Sequence, residues 1–393
     1  MLERLSEKVG FIKNRHYLLF SVSFGKFLFG FYSTAIGSLL VPIGNEFNIN
    51  IRTQSIIFPA NYVGQLIVIL IAGFIADKFG KKLVQLSSLV LFSVVAVFFN
   101  FVDTYVILLI LFFFLGIFGS AVNILTDATV SETFSKKKGI YLNITHIYFG
   151  LGALAQPLFF NYVYAKTGDF RTIYFVLFLF SIFILLLLIP VKYHTSKDSS
   201  IKLGVILKIF KNKGYLLLCI FFCLAVGGQF TFSHWIPTLF QKNLNISSEL
   251  SNYSLSLFWV AITLGRVVSA ILSRKFSEET LIRFQSASLF VLILMSAFFN
   301  NYLLLAIDYL VVGFLVGGLV PLIVAYTSKI YSKYLGTRLG ILYAFAAIGT
   351  FLVPSIVGLF GDVVEIYKVI SSVSVFFGII AFYFFRTPDD KKF

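Results

Sequence analysis

A chain of 393 residues that is 59% hydrophobic, only 12% charged and has a mean hydropathy of +0.93 is too apolar to close around one soluble core. Its net charge of +15 would suit a nucleic-acid binder only if the basic residues were massed on one polar face, and they are scattered through short connectors instead. Composition therefore excludes soluble enzymes and nucleic-acid proteins and points to a chain solvated by lipid.

The apolar runs are helical rather than strand-like, because they are apolar all round and show no period-2 alternation. Leu83 to Val102 and Thr104 to Thr126 hold no charged residue, and each is about the 20 residues a helix needs to cross the hydrocarbon. Twelve spans are expected in chain order: 17–45, 52–76, 83–102, 104–132, 139–165, 171–191, 214–241, 250–273, 280–299, 302–329, 336–361 and 366–386. Glu3, Glu7 and Lys8 precede the first, and no A-x-A cleavage site follows it, so an uncleaved start is expected. The long polar connector 192–213 divides the chain into an N-terminal bundle, 1–191, and a C-terminal bundle, 214–393. Within it, Ile201 to Phe210 alternates apolar and basic residues, as either a short amphipathic helix on the inner leaflet or a solvated linker would. If the termini are cytoplasmic, roughly 25 of the 32 Lys and Arg fall on the cytoplasmic side.

The halves repeat each other. Gly30 matches Gly227, Phe79 matches Phe276, Gly116 matches Gly313, Gly139 matches Gly336, Gly152 matches Gly349 and Pro157 matches Pro354, always 197 residues apart. Parallel repeats of this kind build the two bundles of one class of secondary transporter. Gly313/Gly317 and Gly336/Gly340 stand at GxxxG spacing, which allows close helix approach in lipid.

Between spans 2 and 3 stands Gly73-Phe-Ile-Ala-Asp77-Lys-Phe-Gly80-Lys81-Lys82. It resembles the G-x-L-A-D-R-x-G-R-K signature of the major facilitator superfamily (MFS). Gly73 is expected to permit close packing, Asp77 to meet a helix N-terminus or a cation, and Gly80 to make the turn. The resemblance implies a gate motif of Gly73, Asp77, Gly80, Lys81 and Lys82. The second copy, Ala270 to Glu279, carries Arg274 where the first has Asp77, and reads as a decayed latch. Segments 123–157, 228–237 and 258–266 further resemble the fucose/glucose symporter-like branch, with Gln229 where an acid is usual and Asp127 where Asn is usual. The family implies an all-α integral membrane fold of 12 transmembrane helices, two six-helix bundles related by pseudo-twofold symmetry, working by alternating access in the cell membrane; because the duplication supplies both bundles from one chain, a monomer is expected.

Polar residues inside the spans are the candidates for solute recognition: Asn61 and Gln65 on span 2, Asn123 on span 4, Gln156 on span 5, Gln229, His234 and Trp235 on span 7, Trp259 on span 8 and Tyr343 on span 11. Interhelical bonding is the competing role for each. Lys26, Asp127 and His146 lie at a common depth of about 9–13 Å from the cytoplasmic face at 1.5 Å per residue. An unpaired buried charge is expensive, so Lys26 and Asp127 are expected to pair, with His146 titrating beside them as a proton-coupling site. The alternative is that Lys26 snorkels and Asp127 caps its helix. Arg266 is expected to be a structural tie, and Glu132 to pair with a neighbouring Lys.

The leading expectation is a proton- or ion-coupled carrier of a small polar solute, a sugar symporter by resemblance. A drug/proton antiporter is the alternative, and an integral-membrane enzyme the alternative from another class. No HExxH, no DxxD pair and no GxxxxGK[ST] loop is present, so neither an enzyme nor a cofactor is expected. Cys219 and Cys223 are four apart on one helix, too few for a metal site and poorly placed for a disulfide.

Overall fold

The computed structural model describes residues 12–193, 209–331 and 333–386. The helices are α1 (Arg15–Glu46), α2 (Ile57–Phe79), α3 (Lys81–Phe98), α4 (Tyr105–Thr133), α5 (Lys138–Thr167), α6 (Thr172–Leu188), α7 (Lys213–Asn243), α8 (Ser248–Leu272), α9 (Glu278–Met295), α10 (Tyr302–Ile330), α11 (Leu335–Phe360) and α12 (Ile366–Ser372, continued as Ser374–Arg386). A separate turn, Ile51–Gln54, precedes α2. Each expected span has its counterpart within a few residues. Among the described residues nine helices are long and apolar enough to cross a membrane, ten if a bent pair in 51–79 counts as one. The apolar α6 has 17 residues, and α5 interrupts its 30 with Asn143, His146, Gln156 and Asn161. Large apolar side chains point outward all along the rods, Phe74, Phe101 and Phe298 at 72–79% exposure among them, as only lipid would tolerate on this scale.

The chain divides into two compact units, Met1–Asn48 with Pro59–Asp198, and Ile49–Phe58 with Ser199–Phe393. The expected linker and its amphipathic stretch lie outside the described residues except for 192, 193 and 209–213. The short segment Ile49–Phe58 keeps company with the second unit: Asp362 accepts hydrogen bonds from the backbone N–H groups of Ile51 and Arg52, both at 3.0 Å, and Phe58 stacks on His234 at 4.9 Å.

The repeat governs local structure to the level of single residues. Asn48 and Asn245 both take left-handed backbone, φ 48° and 54°, where the chain leaves α1 and α7; Asn tolerates that region because its short side chain bonds locally. One-turn 3₁₀ segments follow α3 at Phe99–Phe101 and α9 at Ser296–Phe298, again 197 apart. The cap positions correspond as well: Thr104 with Asn301, Asn50 with Ser247, and Gly80 with Ser277. Side-chain oxygens at five of these six accept the first free N–H groups of their helices.

Helix pairing repeats too. α1 packs along α5 and α7 along α11; α3 meets α4 and α6, as α9 meets α10 and α12. Glycines set the closest approaches. A Cβ on Gly30 or Gly152 would overlap the backbone carbonyls of Phe149 and Phe27, and a Cβ on Gly349 that of Cys223. On the other diagonal Gly116 lies on Asn61, Gly313 on Phe258 and Gly317 on Ile262. Without a hydrophobic drive between helices in lipid, this van der Waals contact is what binds each unit. Gly340 has nothing within 4 Å of an added Cβ, so the second GxxxG spacing is not a packing motif at that end.

Candidate functional site

Inside the first unit Lys26 Nζ donates to Asp127 Oδ2 at 2.6 Å, joining α1 to α4. Lys26 is 2% exposed and the Asp127 side chain 36%, so the ammonium is sealed while the carboxylate keeps one open side. Gly25 makes the approach possible: a Cβ there would press on Val122 and Thr126 at 3.0 and 3.2 Å. Thr126 accepts from Gln85 Nε2 at 3.1 Å, and Gln85 accepts from the Tyr193 hydroxyl at 2.8 Å, so α3 and the chain beyond α6 are tied to the same point. One carboxylate oxygen, Asp127 Oδ1, is without a partner, and so is Asn123 Oδ1 one turn earlier. His146 lies exposed on α5.

A second polar group closes the middle of this unit. Gln65 Nε2 donates to the Tyr32 hydroxyl at 2.9 Å and to Asn61 Oδ1 at 2.8 Å, while Asn61 Nδ2 donates to the Phe112 carbonyl at 2.9 Å. Asn61 and Gln65 thus bond α1, α2 and α4 together and are buried. Gln156 accepts from Ser38 at 3.3 Å, with its Nε2 left without a partner.

In the second unit the predicted residues fall into an aromatic group. His234 stands between Phe58 and Phe230, and Phe230 also meets Trp259 at 6.0 Å. Trp235 Nε1 donates to the Pro354 carbonyl at 3.0 Å and Trp259 Nε1 to Ser233 at 3.1 Å, so both indoles are satisfied and buried. Gln229, at the position equivalent to Tyr32, is buried with Oε1 lacking a partner. Tyr343 is exposed beside Phe222, and Arg266 is half-buried on α8 with no ion pair among the described residues. The two thiols are free.

The gate motif is built differently from expectation at one point. Gly73 has nothing within 4 Å of an added Cβ and is exposed, so close packing is not its use here. Gly80 does need its residue type, with φ +84° at the start of α3, and Asp77 is exposed. Lys82 Nζ donates to the Ile189 carbonyl at 2.7 Å, holding the end of α6. Lys81 pairs with Glu132 on α4. The equivalent positions in the second unit are Glu278 and Lys329, which pair at 3.2 Å with the charges exchanged. Arg274 replaces Asp77, yet the ion pair beneath it persists in reverse polarity, so the second copy has inverted as well as decayed.

Three contributors escaped sequence reasoning. Tyr32 and Gln85 look like ordinary span residues until their partners are known. Asp308 was legible as a lone acid in the apolar run 302–329; it is 6% exposed.

Known proteins give this geometry its context. The glucose/mannose transporter GlcP of Bacillus subtilis is 24% identical over 354 residues, covering 85% of this chain and 87% of its own. A protein TsgA homolog of Buchnera aphidicola subsp. Schizaphis graminum is 25% identical over 336 residues, covering 84% and 86%. Among solved structures a D-xylose-proton symporter superposes with a TM-score of 0.76 at 16% identity, covering 96% of this chain and 99% of that one. A bacterial homolog of the lysosomal transporter Spinster reaches 0.80 at 12%, covering 96% and 97%. The family profile of the Major Facilitator Superfamily matches residues 22–305, the stretch that holds the gate motif, the buried ion pair and the glycine contacts of the first unit. With that match spanning most of the chain, this multi-pass membrane protein belongs to the Major Facilitator Superfamily.

Proposed function

We propose that this chain is a secondary active transporter that carries a small polar solute, a sugar, by alternating access, with the proton as coupling ion. The observation that carries the solute class is the similarity to the glucose/mannose transporter GlcP along 85% of the chain. Unpartnered amide atoms support it: Asn123 Oδ1 and Gln156 Nε2 in the first unit and Gln229 Oε1 in the second are buried without a hydrogen bond, a state that solute hydroxyls or water would relieve. Asn61, Gln65, His234, Trp235, Trp259 and Tyr343 complete the recognition set in this reading, the bonded ones by holding helices in place.

Coupling is assigned to Asp127, with Lys26 as its counter-charge and His146 on α5 as a further member of the coupling set. Protonation of Asp127 would release a sealed ammonium, and the cost of that release shifts the balance between conformations. The motif Gly73–Lys82 serves as gate, with the termini cytoplasmic in the cell membrane. Uptake of labelled glucose and mannose into proteoliposomes, with and without an imposed proton gradient, tests the reading. Failure of every sugar removes the solute class. An Asp127→Asn variant that transports at the parent rate and keeps the parent's pH profile removes the coupling role.

A further inference from the structure

Asp308 sits in α10 two residues short of three turns before Gly317, about 9 Å along the helix from Tyr302 at 1.5 Å per residue. It is 6% exposed, its Oδ2 has no partner, and among the described residues no hydrogen bond or ion pair reaches its carboxyl. The same slot in the first repeat holds Leu111, buried at 9%. The matching position of the first repeat is thus apolar, whereas this one carries a buried acid.

α7, α8, α9 and α11 pack on α10, and among the described residues none of them makes an ion pair with Asp308. On α8, whose Phe258 and Ile262 face Gly313 and Gly317, the level of Asp308 is that of Ser254, which is engaged with Tyr302 at 3.0 Å. The titratable groups near that end of α8 are Glu249 and Tyr253, bonded to each other on the exposed surface. The stretch 291–299, the last turn of α9 and the 3₁₀ segment that follows it, and residues 350–360 of α11 contain no titratable side chain. On α7 the face toward α10 carries Phe232 and Phe240, both against Tyr309, whereas His234 turns to Phe58 and Phe230 and Lys242 is exposed at the helix end. Tyr309 and Tyr302, on α10 itself, are the remaining neighbours.

We infer that Asp308 is a proton-binding site of the second unit, separate from the Lys26–Asp127 pair: its carboxyl holds a proton in this conformation and gives it up when α10 rearranges to admit water. An ionised carboxylate without a counter-charge is not sustained in lipid-embedded protein, whereas the neutral acid fits an apolar slot. Asp127 has the opposite setting, since Lys26 already neutralises it. The two acids therefore differ in setting: Asp127 has a counter-charge at 2.6 Å, and Asp308 has none among the described residues.

Infrared difference spectroscopy on the full chain in nanodiscs tests this without any solute, and so independently of the sugar reading. The parent should show a protonated-carboxyl absorption at neutral pH that is lost in Asp308→Asn and shifted in Asp308→Glu; identical parent and Asp308→Asn spectra would overturn the inference. As a folding control, Asp308→Leu should be at least as heat-stable as the parent, since Leu111 fills the matching slot; a destabilised Asp308→Leu would mean the carboxyl makes bonds and would count against it. The transport arm rests on the proposed function: in proteoliposomes Asp308→Asn should lose gradient-driven accumulation of glucose yet keep counterflow exchange within about twofold of the parent. Retained accumulation in Asp308→Asn would refute a coupling role, and sodium-dependent, proton-independent accumulation by the parent would refute the proton as ligand.

Discussion

The charge-exchanged pairs make a quantitative prediction. Lys81 and Glu132 are 14% and 12% exposed, while Glu278 and Lys329 are 25% and 67% exposed, although the two pairs occupy equivalent positions. Breaking a fully buried pair by removing one partner costs about 3–5 kcal/mol, and an exposed pair contributes about 0–1 kcal/mol. Lys81→Gln should therefore cost about 2 kcal/mol, discounted for its membrane-edge location, and Glu278→Gln less than about 1 kcal/mol. Because the second unit already runs the pair with its sign reversed, Lys81→Glu combined with Glu132→Lys should recover at least half of the loss of either single change. Thermal unfolding of the purified chain in one detergent, followed by tryptophan fluorescence, reads the order parent, double exchange, then single variants. A double exchange no more stable than the singles would show that Lys81 and Glu132 act through separate partners. Equal losses for Lys81→Gln and Glu278→Gln would refute burial as the deciding variable.

Asp127→Leu leaves the Lys26 ammonium sealed without a counter-charge and should cost about 3–5 kcal/mol, most of it restored by adding Lys26→Met, as a double-mutant cycle on unfolding would show. Gly152→Ala, whose Cβ would overlap the Phe27 carbonyl, should destabilise by about 1–3 kcal/mol, whereas Gly340→Ala in open space should be neutral or gain about 0.5–1 kcal/mol; equal melting shifts would refute glycine packing as the tie between α1 and α5. Asn48→Gly and Asn245→Gly should leave stability nearly unchanged, and the corresponding Val variants should each cost about 1–2 kcal/mol because left-handed backbone crowds Cβ. Parallel effects at the two sites are required if the repeat is structural.

Hydropathy, the fixed offset and the motif around Asp77 were enough to lay out the helices, because in lipid each span must satisfy its own backbone and announces itself as a long apolar run. The repeat carried further than its glycines suggested: caps, 3₁₀ turns and left-handed Asn residues follow the same register since each is set by a few adjacent residues. Candidate site residues were legible only as types. Asn61 and Gln65 are polar residues in apolar spans, and nothing in one dimension says that they bond to Tyr32 and to each other. Trp235 and Trp259 carry the signature of a stacking platform, yet their N–H groups are taken by Pro354 and Ser233.

By itself the sequence determined the family, the helical rods and the duplication, since these depend on composition, length and local periodicity. Tertiary structure alone decided that Gly73 stands in open space, that Lys81 pairs with Glu132 as Glu278 does with Lys329, and that Asp127 has a counter-ion while Asp308 has none among the described residues. The physical reason is distance: the free energy of a charge or a polar group in lipid is set by what lies within a few ångströms of it, and those neighbours come from helices tens to hundreds of residues away.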